Sequence, residues 1–549
     1  MIRLVPASLV ACALLAPASA AAASFGALPA LPVEPAGRCL RATGAPGELV
    51  RWRAGGAELV QATSTGFGAT TRVPLGDVLG CPSAAGSPSG AGVLAAAVNL
   101  DDVGIALRDP GGSWTRVRRI PMAEIHDVES LATAVSDRGD ALVVWSEGQE
   151  VGDGLGARIR AVRRTAGGRL GAPVPLSRLH AYHAGAPTVS AGMQADGTAI
   201  VLWTQDNPDL RYRKLAFVAV APPGRPFGRA QRLSGRVERT PALAVAPDGR
   251  ALAVVPETHR TAVLERPPGG VFARVAVLGA ADVLYDRPAV ALRPGGAAIV
   301  AWADFDTDRI FAIRRDQPGR FGRAQPLGPI PEDYFAAALA LEFGEAPGDL
   351  GGRAVRAVFA GDGRPVVTWG AVHTLGSLTW AAASVATRSA QTLSGPLRNA
   401  DSIAPVILAG GTAAVAWSDV APGGGSLLHL APEGGGNAPR PPPPRVETGR
   451  ITQLKHRLSV TVRCSAACDV RASVPGGSEG AGALSKAGTT RLQIDTEDDP
   501  IEVPASGRVP IQFLSGATGD RHPRMRTLRV RLRAIALPHV QRLSAGARW

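Results

Sequence analysis

The sequence predicts an all-β chain: a β-propeller of seven or eight four-stranded blades, eight being favoured, followed by a small C-terminal β-sandwich. Three observations lead to this prediction. A short phrase of turn, strand and terminal aromatic residue recurs about every 50 residues. Each copy is flanked by further strand-like segments, and a Pro-rich stretch separates the repeats from alternating strands of a different pattern. The apolar content of 45% is enough to form packed cores.

The repeated phrase is a glycine turn followed by a strand, as in DGTAIVLW from Asp196 to Trp203. Six copies align by the turn glycine, and Val255 replaces the aromatic residue in one of them. A period of about 50 residues is too long for leucine-rich repeats and suits one four-stranded blade. The five aromatic residues are Trp145, Trp203, Trp302, Trp369 and Trp417.

Three further strand-like segments accompany each phrase. A small apolar strand precedes it (PALAVAPDG from Pro241), an Arg-bearing alternating strand follows (RIFAIRR from Arg309), and a fourth segment completes the unit (FGRAQPL from Phe321). Ala and Val dominate the first two strands, where a propeller narrows around its axis, whereas Arg and Tyr gather farther out on the third. A chain of small sandwiches would need units of about 80 to 100 residues.

The count of blades depends on two fainter units, which begin near Gly47 and Val93. Taken separately they make eight units, and merged they make seven. The last unit, which contains Trp417, lacks a fourth strand, and FGALPAL at residues 25–31 resembles one. We therefore expect an N-terminal strand near 25–31 to complete the last blade and to remove an exposed sheet edge.

The predicted domain organisation begins with a secretory signal peptide at residues 1–23, in which a basic start, an apolar run and Ala18-Ser19-Ala20 follow one another. The propeller spans 24–430, a Gly/Pro-rich linker 431–445, and an immunoglobulin-like β-sandwich 446–549. Lipid attachment at Cys12 remains an alternative. No later segment approaches the roughly 20 apolar residues of a transmembrane helix. We expect the protein to be secreted, extracellular or bound to the cell envelope.

Four cysteines remain after removal of the signal peptide: Cys39, Cys81, Cys464 and Cys468. An even number in an oxidising compartment predicts two disulfides, and proximity favours Cys39 with Cys81 and Cys464 with Cys468. Neither pair has the companions that a zinc site needs.

The net charge of +13 comes almost entirely from arginine, and no nucleic-acid motif accompanies it. We expect no nucleic-acid partner. In the C-terminal domain, RMRTLRVRLR places three arginines on one face of a strand, which favours contact with an anionic cell-wall polymer or glycan. The alternative is a solvated outer strand whose charges prevent edge pairing. We expect a monomer.

A polar residue stands two places after the terminal aromatic position in five copies of the phrase. In a propeller these side chains would form a partial acidic ring on the ligand-binding face. The alternative is that they pair with arginines of the following strand, such as Arg260 or Arg309. The five residues are Glu147, Gln205, Glu257, Asp304 and Asp419.

Neither of two possible metal motifs is complete. DFDTD, from Asp304 to Asp308, lacks the Gly and Glu of a helix-loop-helix calcium site, and His180 and His183 have no further ligand nearby in the sequence. We therefore predict no metal and no cofactor.

One element resembles sialidases. RRIP, Arg118–Pro121, resembles the Arg-Ile-Pro element of that family, and the resemblance implies that Arg119 holds a substrate carboxylate. The following SDRGDALVVW resembles the Asp-box, but it lacks a residue between Ser136 and Asp137, and Trp145 comes late. None of the four tyrosines has the setting of a nucleophile. The resemblance covers one turn and implies the propeller fold without the activity.

The whole layout resembles the exported β-propeller repeat proteins common in high-GC bacteria. This predicts a secreted or cell-surface, non-enzymatic binding or scaffold protein that uses a propeller face for contact. The alternatives are a glycan-active hydrolase of sialidase type and a purely structural envelope protein. No catalytic residue is predicted.

Overall fold

The computed structural model of the protein describes residues 31–33, 39–53, 56–99, 101–122, 128–151, 154–181, 187–207, 210–237, 240–257, 260–278, 287–304, 307, 309–329, 355–372, 378–384, 389–392, 399–420, 426–433, 446–454, 457–465, 468–473, 479–484, 488–495, 508–517 and 524–531. These residues form strands and turns, with a 3-10 turn at Pro294–Gly296. The predicted signal peptide with Cys12, residues 25–30, His183 and residues 434–445 of the linker lie outside them.

The described residues between 31 and 433 form eight groups of four antiparallel strands, which we call sheets 1 to 8. Seven are meanders of consecutive strands, and the eighth includes a strand from residues 31–33. The prediction of an all-β chain with four-stranded antiparallel sheets is therefore confirmed. Sheets 1 and 2 consist of β2 (Leu40–Ala42), β3 (Glu48–Arg53), β4 (Gly56–Thr63) and β5 (Gly66–Val73), then β6 (Val78–Gly86), β7 (Gly92–Val98), β8 (Asp102–Arg108) and β9 (Arg118–Pro121).

Sheets 3, 4 and 5 follow the same order, and sheets 4 and 5 are joined by the single pair Val237 and Glu257. In sheet 3 a short fifth strand also pairs with the third. The strands of these sheets are β10 (Val128–Val135), β11 (Ala141–Val151), β12 (Gly154–Arg164), β13 (Val174–Pro175) and β14 (His180–Ala181); β15 (Val189–Met193), β16 (Ala199–Asn207), β17 (Leu210–Ala221) and β18 (Gln231–Val237); and β19 (Ala242–Val245), β20 (Ala251–Glu257), β21 (Arg260–Arg266) and β22 (Ala273–Leu278).

Sheet 8 takes its fourth strand, β1 (Leu31–Val33), from the N-terminal end of the chain, and Leu31 pairs with Leu428. Its third strand ends at Pro432, two residues beyond the predicted domain boundary at 430. Sheets 6, 7 and 8 contain β23 (Ala289–Leu292), β24 (Ala298–Asp304), β25 (Arg309–Arg315) and β26 (Gln325–Pro329); β27 (Arg356–Phe359), β28 (Pro365–Val372), β29 (Leu378–Ser384) and β30 (Ser389–Thr392); and β31 (Asn399–Ile407), β32 (Ala413–Val420) and β33 (Ser426–Pro432) with β1.

The first strands of neighbouring sheets contact one another in order, and β31 of sheet 8 contacts β2 of sheet 1. The apolar cores lie between the sheets. Leu40 and Leu49 of sheet 1, for example, pack with Leu428 and Leu430 of sheet 8. Because both faces of each sheet are covered, the second strands consist of continuous buried Ala and Val runs. The arrangement is propeller-like.

The turn glycine of the repeated phrase is required by backbone geometry. Gly197, between β15 and β16, has a φ of 89°, which residues with a Cβ rarely adopt. A Cβ at this position would also lie 2.9 Å from the carboxyl carbon of Asp140 in sheet 3. The glycine thus allows both the tight turn and the close approach of two sheets.

The C-terminal region forms two further antiparallel sheets, one of three strands and one of four. Val460, Val462, Ala472 and Leu492 are buried. The strands are β34 (Val446–Leu454), β35 (Arg457–Cys464), β36 (Cys468–Ser473), β37 (Glu479–Leu484), β38 (Gly488–Asp495), β39 (Arg508–Ala517) and β40 (Arg524–Arg531).

Candidate functional site

The predicted polar residues lie in the second half of second strands in different sheets, namely β11, β16, β20, β24 and β32. Glu257 and Asp304 are the last residues of their strands, whereas Glu147 lies four residues before the end of β11. Since the sheets share one strand order, these strand ends lie at the same end of the molecule. The structure therefore allows the side chains to be compared position by position.

Glu147 of sheet 3 is 2% exposed and is held by two arginines of its own sheet. Arg158 Nη2 donates to its Oε1 at 2.8 Å, and Arg160 Nη1 donates to its Oε2 at 3.0 Å. Both carboxylate oxygens are thus occupied by charge-assisted hydrogen bonds, which are among the stronger hydrogen bonds in proteins.

Glu257 of sheet 5 repeats this arrangement. Its Oε2 accepts a hydrogen bond from Arg260 Nε at 2.7 Å, and its Oε1 accepts one from Arg274 Nη2 at 2.9 Å. Arg260 stands directly opposite on the third strand, and Arg274 comes from the fourth. The carboxylate is 7% exposed and tied to the outer half of its own sheet.

The remaining ring positions differ in chemistry. Gln205 Oε1 accepts a hydrogen bond from the indole Nε1 of Trp203 at 3.3 Å. Asp304 is opposite Arg309 in the register of sheet 6. The side chain of Asp419 lies outside the described part of the structure, although its backbone belongs to β32.

Arg119 belongs to a sheet that carries none of these five residues. It belongs to β9, the outermost strand of sheet 2, where its side chain is half exposed and lies 3.6 Å from Asp102. The position that the sialidase resemblance assigns to a substrate carboxylate is therefore on an outer strand, in a sheet that contributes none of the five predicted polar residues.

The repeat tryptophans pack between sheets. Trp145, Trp203, Trp302, Trp369 and Trp417 each belong to an apolar cluster shared with the preceding sheet. In four sheets a flat group from the third strand covers the indole: Phe217, Phe311 and His429 stack on Trp203, Trp302 and Trp417, and the Arg160 guanidinium lies 5.7 Å from the Trp145 ring. The strand-end polar residues therefore continue an inter-sheet packing layer.

A second recurring position, at the end of the third strand, was not predicted. Arg108, Arg164 and Arg315 there bind acids of the preceding sheet, namely Glu48, Asp109 and Glu265. A signal in the sequence marks the position, because an aromatic or leucine residue follows six places later, at Trp114, Leu170 and Phe321. Arg108 and Arg315 lie over those rings at 4.7 and 5.0 Å.

Arginines also meet along the first strands. Arg41 of β2 is affected by the charges of Arg356 in β27 and of Arg287, two residues before β23. Burial, together with these two positive charges, lowers the pKa of Arg41 far below the ordinary arginine value, to about 9. Arg287 Nη2 donates to Ser190 Oγ in sheet 4 at 2.6 Å.

The remaining predictions concern metals and disulfides. Among the described residues, no group of three or more His, Cys, Asp or Glu side chains has the arrangement of a metal site. The disulfide between Cys39 and Cys81 is confirmed, and it links the start of sheet 1 to β6 of sheet 2. Cys464 is also disulfide-bonded, whereas the side chain of Cys468 lies outside the described residues. Among the residues that the structure describes, no helix is long and apolar enough to cross a membrane.

No protein-family model matches the chain, and no curated protein matches it. Among solved structures it is similar to a fungal alcohol oxidase of the AA5 family in complex with copper, with 11% identity, coverage of 93% of this chain and 100% of that chain, and a TM-score of 0.37. A Hadza microbial sialidase has 13% identity, coverage of 62% and 73%, and a TM-score of 0.32. The six-bladed fucose-recognising lectin of Aleuria aurantia has 11% identity, coverage of 57% and 97%, and a TM-score of 0.31. At these low TM-scores the similarities assign no activity and no ligand to the chain.

Proposed function

We propose that the protein is a secreted or cell-surface, non-enzymatic binding or scaffold protein. Its body would be an eight-bladed propeller closed by the N-terminal strand, followed by a linker and an immunoglobulin-like β-sandwich. The main support is the hydrogen bonding of the Glu147 and Glu257 carboxylates. These buried carboxylates would be the obvious acid-base candidates at the strand ends, yet each has both oxygens bonded to arginines of its own sheet.

A catalytic carboxylate must reach the substrate and exchange a proton with it. Glu147 would have to leave two charge-assisted hydrogen bonds to do so, at a large cost for a buried charge. The same contacts make the strand ends rigid. A rigid rim that carries loops is suited to presenting a contact surface, as in many folds whose loops hold binding residues.

Export is supported by chemistry as well as by the leader sequence. The Cys39–Cys81 disulfide is of the kind that persists in oxidising compartments. The Arg-rich strand β40 makes an anionic cell-wall polymer or glycan the favoured partner of the C-terminal domain.

The proposal is tested by applying the purified chain to an array of neutral and acidic glycans and assaying the same glycans for released sugar. We expect retention without release. Release of a sugar that disappears in Arg119→Ala would instead identify a hydrolase and overturn the proposal. Neither retention nor release would favour a purely structural envelope protein.

The role of the C-terminal domain is tested by ending the chain after Pro444. We expect the shortened chain to lose most of its association with the producing cells. Unchanged association would count against an anchoring role for β40, while leaving the array result for the propeller unaffected.

A further inference from the structure

A cavity of about 500 Å³ lies beside the turn that joins β25 to β26 in sheet 6. Its lining includes Arg314, Arg315, Arg320 and Arg323. Arg315 pairs across the sheet with the first residue of β24, whereas Asp304 is the last residue of that strand. The cavity is therefore at the opposite end of the sheet from the ring of strand-end residues.

Arg315 fixes one wall of the cavity. It is 4% exposed, and its guanidinium makes two hydrogen bonds to Glu265 of sheet 5, at 2.7 and 2.8 Å. Its Nε donates to the carbonyl of Gly296 at 3.0 Å, and its guanidinium lies over the ring of Phe321. This arginine is neutralised and immobile, so it positions the turn and is not available to a ligand.

The other three arginines are differently placed. Within the described residues Arg314, Arg320 and Arg323 make no ion pair, and Asp316 is the acidic side chain of the lining. With Arg315 compensated by Glu265, three positive charges face one negative charge. The cavity is thus an electropositive pocket whose three guanidinium groups are in no ion pair within the described structure.

Sheet 3 shows what an arginine at the Arg314 position does when it serves only the fold. Arg163, which likewise precedes the last residue of a third strand, donates to the carbonyls of Arg225, Pro222 and Gly197 in sheet 4. It also lies over the ring of Phe227. Arg314 makes no such bonds in the described structure and borders a cavity instead.

We propose that this pocket binds the oxyanion group of an acidic glycan, a carboxylate, sulfate or phosphate, through Arg314 and Arg323. The planar guanidinium fork matches such groups with two parallel hydrogen bonds. The volume lies within the range of small-ligand sites and exceeds what a single oxyanion fills. Gln317 and Gln325, also in the lining, carry amides that can bind sugar hydroxyls. This inference adds a second site at the other end of the sheet and does not depend on the function proposed above.

Sheet 4 provides a matched control. Its corresponding turn repeats the letters FGRAQ at Phe227, so Arg229 stands where Arg323 stands in sheet 6. Val220 and Ala221, however, occupy the positions of Arg314 and Arg315. The control turn thus has the same local sequence but lacks the two arginines of the third strand that border the cavity in sheet 6.

The test is calorimetric titration of the secreted chain, at low salt, with oligogalacturonate, inorganic phosphate and neutral maltohexaose. We expect oligogalacturonate to bind, the double variant R314Q/R323Q to bind about tenfold or more weakly, and R229Q to change affinity less than twofold. Thermal unfolding of each variant verifies that it is folded. The three substituted arginines make no ion pair in the described structure, so we expect unchanged Tm values.

Three outcomes would overturn the proposal. Equal weakening by R229Q would indicate general charge attraction, and equal binding of maltohexaose would remove the role of the oxyanion. Absence of binding by oligogalacturonate, whether or not phosphate binds, would contradict the assignment to a glycan. The substitutions lie at the opposite end of the sheet from the strand-end ring and do not alter it. Each of these outcomes can therefore be interpreted whatever the glycan array shows.

Discussion

At the scale of single residues, the strand-end acids show how a repeated polar position can belong to the fold. The sequence identifies Glu147 and Glu257 as equivalent and leaves two interpretations open. In the structure each binds two arginines of its own sheet, as the pairing interpretation expects of Arg260. The partners Arg158, Arg160 and Arg274 depend on register and side-chain direction, which alternate along the strand.

Glu147→Gln should destabilise the protein by about 2 to 3 kcal/mol, because it leaves two partly buried guanidinium groups without a counter-charge. The measurement is the free energy of unfolding from denaturant titration. The control is Gln205→Ala, at the same position of sheet 4, which loses a single hydrogen bond to Trp203 and should cost about 1 kcal/mol. Equal effects of the two substitutions would show that the ion pairs at Glu147 contribute nothing specific.

Because the pKa of Arg41 is lowered, we expect the free energy of unfolding to depend on pH in the alkaline range. Its folded-state pKa of about 9 lies below the ordinary arginine value that the unfolded chain retains. Between these two values the unfolded chain binds more protons, so stability rises with pH. The wild type should therefore gain stability relative to Arg41→Gln between pH 8 and pH 10, by less than about 1.4 kcal/mol per pH unit, the limit for one proton.

The comparison needs unfolding measurements at both pH values for wild type, Arg41→Gln and the exposed control Arg320→Gln. The control should follow the wild type. A constant difference between wild type and Arg41→Gln would mean that Arg41 does not titrate in this range.

At the level of strands and sheets, the local sequence specifies which faces of a strand are buried. Ion pairs between sheets help to specify how neighbouring sheets pack against each other. The continuous Ala and Val runs of the second strands reflect burial on both faces. Arg315 and Glu265 then join sheets 5 and 6 at one point, as Arg108 and Glu48 join sheets 1 and 2. Such pairs between buried groups are costly to break and therefore help to specify the arrangement.

A double-mutant cycle measures this contribution. Arg315→Met and Glu265→Gln should each destabilise the protein by about 3 kcal/mol, because each leaves a buried partner uncompensated. The loss of stability in the double variant should be smaller than the sum of the two single losses by about 1 to 3 kcal/mol. The exposed pair Asp362 and Arg364 serves as the control cycle, with an expected coupling below about 1 kcal/mol. Additive effects in the buried cycle would contradict a direct interaction.

The number of residues between the turn glycine and the aromatic residue decides toward which neighbouring sheet the aromatic side chain packs. In sheets 3 to 8 the aromatic position is six residues after the turn glycine, but in sheet 1 Trp52 follows Gly47 by five. Since side chains alternate between faces, Trp52 packs toward sheet 2, whereas Trp203 packs toward the preceding sheet. This explains why the first unit is faint in the sequence.

At the scale of the whole molecule, the ends of the repeat region meet. β1 pairs with β33, and the cluster of Leu40, Leu49 and Leu428 joins sheet 8 to sheet 1. Without β1, the third strand of sheet 8 would expose its unpaired backbone groups, which favours pairing with other chains.

A chain that begins at residue 34 should therefore unfold at a lower temperature, by about 5 °C, and should form oligomers or aggregates. The control is a chain that begins at residue 24, which keeps Leu31–Val33. Thermal unfolding and size-exclusion chromatography provide the readouts. A monomer with unchanged Tm after the longer truncation would show that β1 is dispensable.

Patterns within the sequence predict the all-β class, the repeat, the turn glycines, the tryptophan positions and the pairing of Cys39 with Cys81. All of these features except the pairing of the cysteines are specified by short segments of the sequence, because strand periodicity and turn geometry depend on neighbouring residues. The folded structure is needed to show which arginine meets which carboxylate, that Arg119 lies on an outer strand, and that Arg314 borders a cavity. These depend on contacts between residues far apart in the chain, such as Arg315 and Glu265, and a local pattern does not encode the distance between two sheets.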